Sequence, residues 1–242
     1  GAVGQGRADK GLIEMMEGMA KLQQDYQSGV AKERITRLMQ DRKVAAKEVA
    51  AAVTDTSAFR EARAVADTTA RLAAWNAFLK AYPTSSFRPG AISSYCGLLM
   101  AKEPAKLTGF VAAALQVERD PATRGRLHYA AYMYAQSHAA DRVPAVLKAM
   151  QDDPLIDTDA CNMVAWDLVE RNQLLDGAIA LAAIGAQKAP DDGSKSSILD
   201  TQGWAHFVKG EYPRAVELLA QAAGLDTTNT EVQMHVAQAY DK

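Results

Sequence analysis

The chain has 242 residues, of which 48% are apolar and 23% charged, and a formal net charge of −2. That length suits one or two globular domains, or about six helical hairpins of roughly 34 residues each. Every apolar run is broken by charge within a few residues, short of the roughly 18 that a membrane span requires, which excludes a spanning helix and implies a soluble chain.

Alanine is abundant, glycine and proline are sparse, and the β-branched and aromatic runs that mark strands are missing, so the whole chain is predicted helical. Residues 1–55 predict one long helix or a helical hairpin. Leu12, Met15, Met19, Leu22 and Tyr26 recur at steps of three and four, and Ile35, Leu38, Val49 and Val53 extend the stripe past a break at Ser28 and Gly29. The expected role of the stripe is packing against the rest of the chain, with a coiled-coil or dimer contact as the alternative. Lys32, Arg34, Arg37, Arg42, Lys43 and Lys47 lack interleaved aromatics and read as a solvated face, not a nucleic-acid surface.

From residue 56 onward prolines punctuate the chain. Pro83, Pro121, Pro154 and Pro190, with Thr227 in the equivalent place, are spaced 38, 33, 36 and 37 residues apart. Proline cannot continue a helix and restricts its predecessor, so each is expected just past the second helix of a pair. Residues 85–121 form one pair, with Gly97 where its first helix meets its second and Pro104 opening the second. Residues 123–154 form the next, with Ala130 in the close-contact position and Ala149 late in the second helix; Arg142 falls where a small residue belongs, which predicts an altered turn. Residues 159–192 place Ala165 and Ala178 at the two contacts, with one extra residue in the turn. After an insertion at 193–195, residues 196–229 form the clearest pair, with Gly203 and Ala215 where backbones approach, Gly210 and Tyr212 in the turn and Ala222 closing the second helix. Residues 230–242 add one more first helix, carrying Ala237 and Tyr240 without a mate, and truncation of a longer array is the expectation.

The segment SSILDTQGWAHFVKGEYPRAVELLAQAAGLDTTN, with small residues at its eighth and twentieth positions, resembles a tetratricopeptide repeat. The resemblance is clearest over 159–242 and degenerate over 57–158. It implies an all-α, right-handed α-solenoid of stacked antiparallel helix pairs, and three regions: 1–55, 56–158 and 159–242. It further implies that first helices line a concave face, on which Asn162, Trp166, Glu170, Asp200, Trp204, Phe207 and Gln238 are free to bind a partner. Where chaperone-binding members of this family clamp a C-terminal carboxylate with lysine and asparagine, this chain has Asp200 and Trp204, so carboxylate capture is not expected.

Charge is unevenly placed. Residues 1–150 carry 21 basic and 14 acidic side chains, and residues 151–242 carry 6 and 15. A basic protein or peptide partner for the second part is one expectation, contact between oppositely charged ends of neighbouring copies a second, and a solvated acidic surface a third. There is no phosphate loop, no paired His on one helical turn and no Cys pair at metal spacing, so no catalytic residue, metal or cofactor is assigned. Cys96 and Cys161 fall two repeats apart and read as small core residues. His128, His138, His206 and His235 are scattered, and Asp152, Asp153, Asp157 and Asp159 lack the glycine and glutamate of a calcium loop; Asp157 or Thr158 is expected to cap a helix.

The function expected is non-catalytic protein recognition on the concave face. Two alternatives accompany it. The start GAVGQGRADKGLIEMMEGMAKL resembles the closing strand and helix of a thioredoxin-like domain, which implies an appendage of a redox protein. FLKAYPTSSFRPGAI resembles a repeat boundary of bacterial cell-envelope proteins, which implies an assembly factor. Cytoplasm and periplasm are both compatible with either.

Overall fold

A computed structural model describes residues 46–242, with side chains from residue 54. Eleven α-helices follow one another: α1 Ala46–Ala64, α2 Thr68–Ala81, α3 Arg88–Lys102, α4 Pro104–Val117, α5 Pro121–His138, α6 Val143–Gln151, α7 Thr158–Glu170, α8 Leu175–Lys188, α9 Asp192–Val208, α10 Tyr212–Leu225 and α11 Thr230–Tyr240. The chain divides into two compact units at residues 61/62, within α1, so that helix also runs through the 55/56 division read from sequence. Leu12 to Leu38 of the N-terminal stripe lie outside the described residues, as does the thioredoxin-like start.

Local chemistry explains the alternation of helices. An Asp or Asn side chain opens α2, α5, α7, α9 and α11, each accepting from backbone N–H groups of the first turn: Asp67, Asp120, Asp157, Asp191 and Asn229. The helices α4, α6 and α10 have no such cap and begin with proline in the first two positions, where the missing N–H costs nothing. From α3 onward, first helices other than α3 itself are therefore capped, and three of the four second helices are started by proline.

Within residues 62–242 the pairs α3 with α4, α5 with α6, α7 with α8 and α9 with α10 pack on one another, and first helices form a continuous layer from α3 through α5, α7 and α9 to α11. This is the stacked helix-pair architecture expected. The core of the later pairs runs from Tyr132 through Leu147, Val164, Leu168, Leu181 and Ile198 to Val232, all buried. Small residues decide the closest approaches. A Cβ on Gly203 would stand 2.7 Å from Leu219 Cγ, and Ala165, Ala178, Ala215 and Ala222 are fully buried.

Two local expectations need correction. Gly97 is exposed, and a Cβ there would meet nothing within 4 Å; Cys96 and Leu99 turn inward instead. A 3₁₀ turn over Ala140–Arg142 precedes α6, late in which Ala149 lies exposed beside buried Met150. That turn is the alteration that Arg142 predicted. Residues 193–195 are not an insertion between helices but the first turn of α9, where Asp191 accepts from the Ser194 N–H at 2.7 Å. The extra residue between α7 and α8 is accommodated by two left-handed residues, Asn172 (φ 51°) and Leu174 (φ 45°), where the corresponding turn before α10 uses one, Gly210 (φ 85°).

Candidate functional site

On α7, Asn162, Trp166 and Glu170 are spaced four apart and therefore share one face. On α9 the same holds for Asp200 and Trp204, with Phe207 one turn further on. These helices are adjacent in the first-helix layer, and α11 follows. The structure draws Trp166, Asp200, Trp204 and Phe207 together around a residue outside the expected set, His235 of α11. Trp204 stacks on Phe207 with ring centroids 4.4 Å apart and planes 7° apart, and on His235 at 4.3 Å and 17°. Trp166 stands 6.1 Å from His235 with its plane tilted by 33°.

The imidazole is held in place by Asp200, whose two carboxylate oxygens accept from His235 Nδ1 at 2.9 and 3.0 Å. Asp200 and His235 are both buried, so this carboxylate is committed internally. The exposed carboxylate on the face is Glu170, and Gln238 is exposed as well. Trp204 is half-buried and packs on the core, whereas Trp166 is half-buried without being part of that packing. Asn162 contributes an unusual feature: its Oδ1 is buried and accepts no hydrogen bond. Leaving a buried acceptor unpaired costs about 1–3 kcal/mol.

Sequence reasoning missed a second set of polar contacts, which ties successive pairs together. Arg124, in the first turn of α5, donates from Nε to Asp153 Oδ2 at 2.8 Å and from Nη1 to the carbonyls of Leu115 and Glu118, both at 2.8 Å. His128 Nε2 donates to the same Asp153 oxygen at 2.7 Å, and Asp153 Oδ1 accepts from the Leu155 N–H. One repeat earlier, Arg88 bridges Glu118 Oε2 at 2.7 Å and the Leu79 carbonyl at 2.9 Å. The first-helix layer is likewise linked by Tyr132, whose hydroxyl donates to Asp167 at 2.5 Å. The signal was present as spacing: Arg88 and Arg124, Tyr132 and Asp167, and Asp200 and His235 are all separated by about one repeat period.

Burial and hydrogen bonding compete in the Arg124 cluster. Burial alone would raise the Asp153 carboxyl, but the Arg124 and His128 bonds outweigh it and hold Asp153 below its ordinary range. Burial lowers His128 below its usual 6.5, with Asp153 opposing only in part. An imidazole with a lowered folded value takes up its proton first in the unfolded chain, so stability is full above 6.5 and declines as pH falls below it. Asp153 adds a further loss once pH falls through its own lowered value. Urea melts from pH 8 down to pH 5 are therefore expected to show stability falling with acid, with a shallower slope in His128→Gln.

The loop carboxylates do not converge. Asp152 pairs with Lys148, Asp153 with Arg124 and His128, and Asp157 caps α7 as expected, while Asp159 is exposed. Among the described residues no group of three or more His, Cys, Asp or Glu gathers in a way that could hold a metal ion. Cys96 and Cys161 are buried free thiols that burial pushes up to about 12. None of the described helices is long and apolar enough to cross a membrane. A scan of family models, a search of curated proteins and a search of solved structures each return no match for this chain. What stands is an all-helical, repeat-like arrangement of paired helices.

Proposed function

We propose that the chain is a tetratricopeptide-type scaffold without catalytic activity, and that its first-helix face over α7, α9 and α11 is a concave surface that binds an extended segment of a protein partner. The observation that carries this reading is Trp166, which stands half-buried beside His235 and Trp204 without joining the core packing. Trp166 and Trp204 would cover apolar side chains of the bound segment. Exposed Glu170, within an acidic second part of the chain, favours a segment that also bears basic residues. A preformed surface of this kind lowers the ordering cost of association. The reading is the same whether the scaffold serves a redox protein or a cell-envelope assembly.

Trp166 gives the cleaner test, because Trp204 also packs on the core and stacks on His235. Selection of short peptides against the wild-type chain is expected to enrich sequences mixing basic and apolar residues. Trp166→Ala should weaken their binding by roughly ten-fold or more, with a change in stability below about 1 kcal/mol, and Glu170→Lys should select against the basic ones. Enriched peptides that bind Trp166→Ala and wild type alike would remove the site.

A further inference from the structure

At the other end of the first-helix layer a cleft of about 280 Å³ opens between α2 and α3, with Arg63 from the end of α1 at its rim. Arg63, Arg71 and Trp75 line it from α1 and α2, and Ser93, Ser94, Gly97 and Leu98 line it from α3. Trp75 is 2% exposed, so exposed Gly97 and half-buried Leu98 are the apolar groups within a ligand's reach.

One donor is prearranged. Arg71 donates from Nε to the Val65 carbonyl at 2.6 Å and from Nη2 to the Ala66 carbonyl at 2.9 Å, which fixes its guanidinium. Its Nη1 makes no bond to the described residues. Exposed Arg63 and Ser93 are likewise without hydrogen-bond or ion-pair partners among the described residues, whereas Ser94 commits its hydroxyl to the Gly90 carbonyl at 3.0 Å. Among the described residues no carboxylate lines the cleft to neutralise the two cations. A pinned guanidinium, a second arginine and a hydroxyl beside Gly97 and Leu98 match an oxyanion attached to an apolar body.

The position of Gly97 gives the cleft its depth. It is exposed, a side chain there would meet nothing within 4 Å, and it lines the cleft from α3 where Arg71 lines it from α2. Glycine in mid-helix is less favourable than alanine, and no close helix contact compensates for that here.

We infer that this cleft is a binding site for a small organic anion, a phosphate or carboxylate carried on an aromatic or aliphatic group, with the anion on Arg63, Arg71 and Ser93 and the apolar part over Gly97 and Leu98. The site is independent of the peptide surface on α7, α9 and α11. Calorimetric titration of the whole chain with phenyl phosphate tests it. Wild type is expected to bind, with inorganic phosphate at least about ten-fold weaker because it lacks the apolar half. Arg63→Gln, an exposed substitution that leaves the Arg71 anchor intact, should weaken phenyl phosphate by about ten-fold. Gly97→Leu should abolish binding while leaving the thermal midpoint unchanged or raised. Arg214→Gln, which removes an exposed arginine elsewhere, should bind as wild type does. The inference is overturned if wild type does not bind, if Arg214→Gln weakens binding as much as Arg63→Gln, if Gly97→Leu binds normally, or if inorganic phosphate binds equally well.

Discussion

Replacing Arg124 with alanine is expected to destabilise the chain by about 3–5 kcal/mol, the cost of removing one partner from a buried ion pair. The side chains of Arg124 and Asp153 are 11% and 3% exposed, so water cannot substitute for the lost guanidinium. The carbonyls of Leu115 and Glu118 lose their donor in the same substitution. The loss should depend on pH in a distinctive way. Arg124 is one of the groups that disfavours a charged His128; without it, His128 can take up a proton and pair with Asp153. The destabilisation is therefore expected to be greater at pH 8 than at pH 5.5, read from urea melts of the two proteins at both values. An equal loss at both would mean that His128 does not respond to the cluster.

The second large effect concerns two glycines that occupy like positions in the repeat register and should respond with opposite sign. At Gly203 an added methyl would lie 2.7 Å from Leu219 Cγ and 3.2 Å from the Leu219 backbone nitrogen. Rotation of the leucine side chain could relieve the first contact but not the second, so α9 and α10 would have to separate. Overpacking of this kind costs about 1–3 kcal/mol. Gly97→Ala meets no neighbour and should stabilise by about 0.5–1 kcal/mol through helix propensity. Thermal melts of both variants against wild type check the pair; the same sign in both would contradict the packing described for α3 and α9.

These two glycines also show what the sequence could convey. Proline spacing identified the boundaries well, because its effect on the backbone is local: Pro83, Pro154 and Pro190 stand between helices, and Pro121 opens α5. Small residues were read correctly where the repeat is regular, as at Ala165, Ala178, Gly203 and Ala215. The reading failed at Gly97, because a glycine that lets helices touch is indistinguishable in sequence from one that simply faces solvent. The 3₁₀ turn at Ala140–Arg142 was marked in sequence only by the misfit of Arg142.

The candidate site was legible in part for a related reason. The register placed Trp166 and Trp204 on neighbouring first helices, but the ring that stacks on Trp204 belongs to the next repeat, on α11. His235 bears no local mark of that role. Its pairing with Asp200 emerges only when residues about one repeat apart are compared, since stacking converts that separation into adjacency. The Arg124, Asp153 and His128 cluster was hidden in the same way, with Asp153 read as one of four loop carboxylates.

The two buried thiols have a consequence for following the molecule in solution. Cys96 sits on α3, among the pairs joined by Arg88 and Arg124, and Cys161 on α7, within the apolar core that continues to α11. Both are covered and held in the unreactive protonated form, so a thiol reagent can attack only a molecule that has opened locally. The chain thus carries one native clock in each half of the array, and the ratio of their labelling rates reports whether the helices come apart together or from one end.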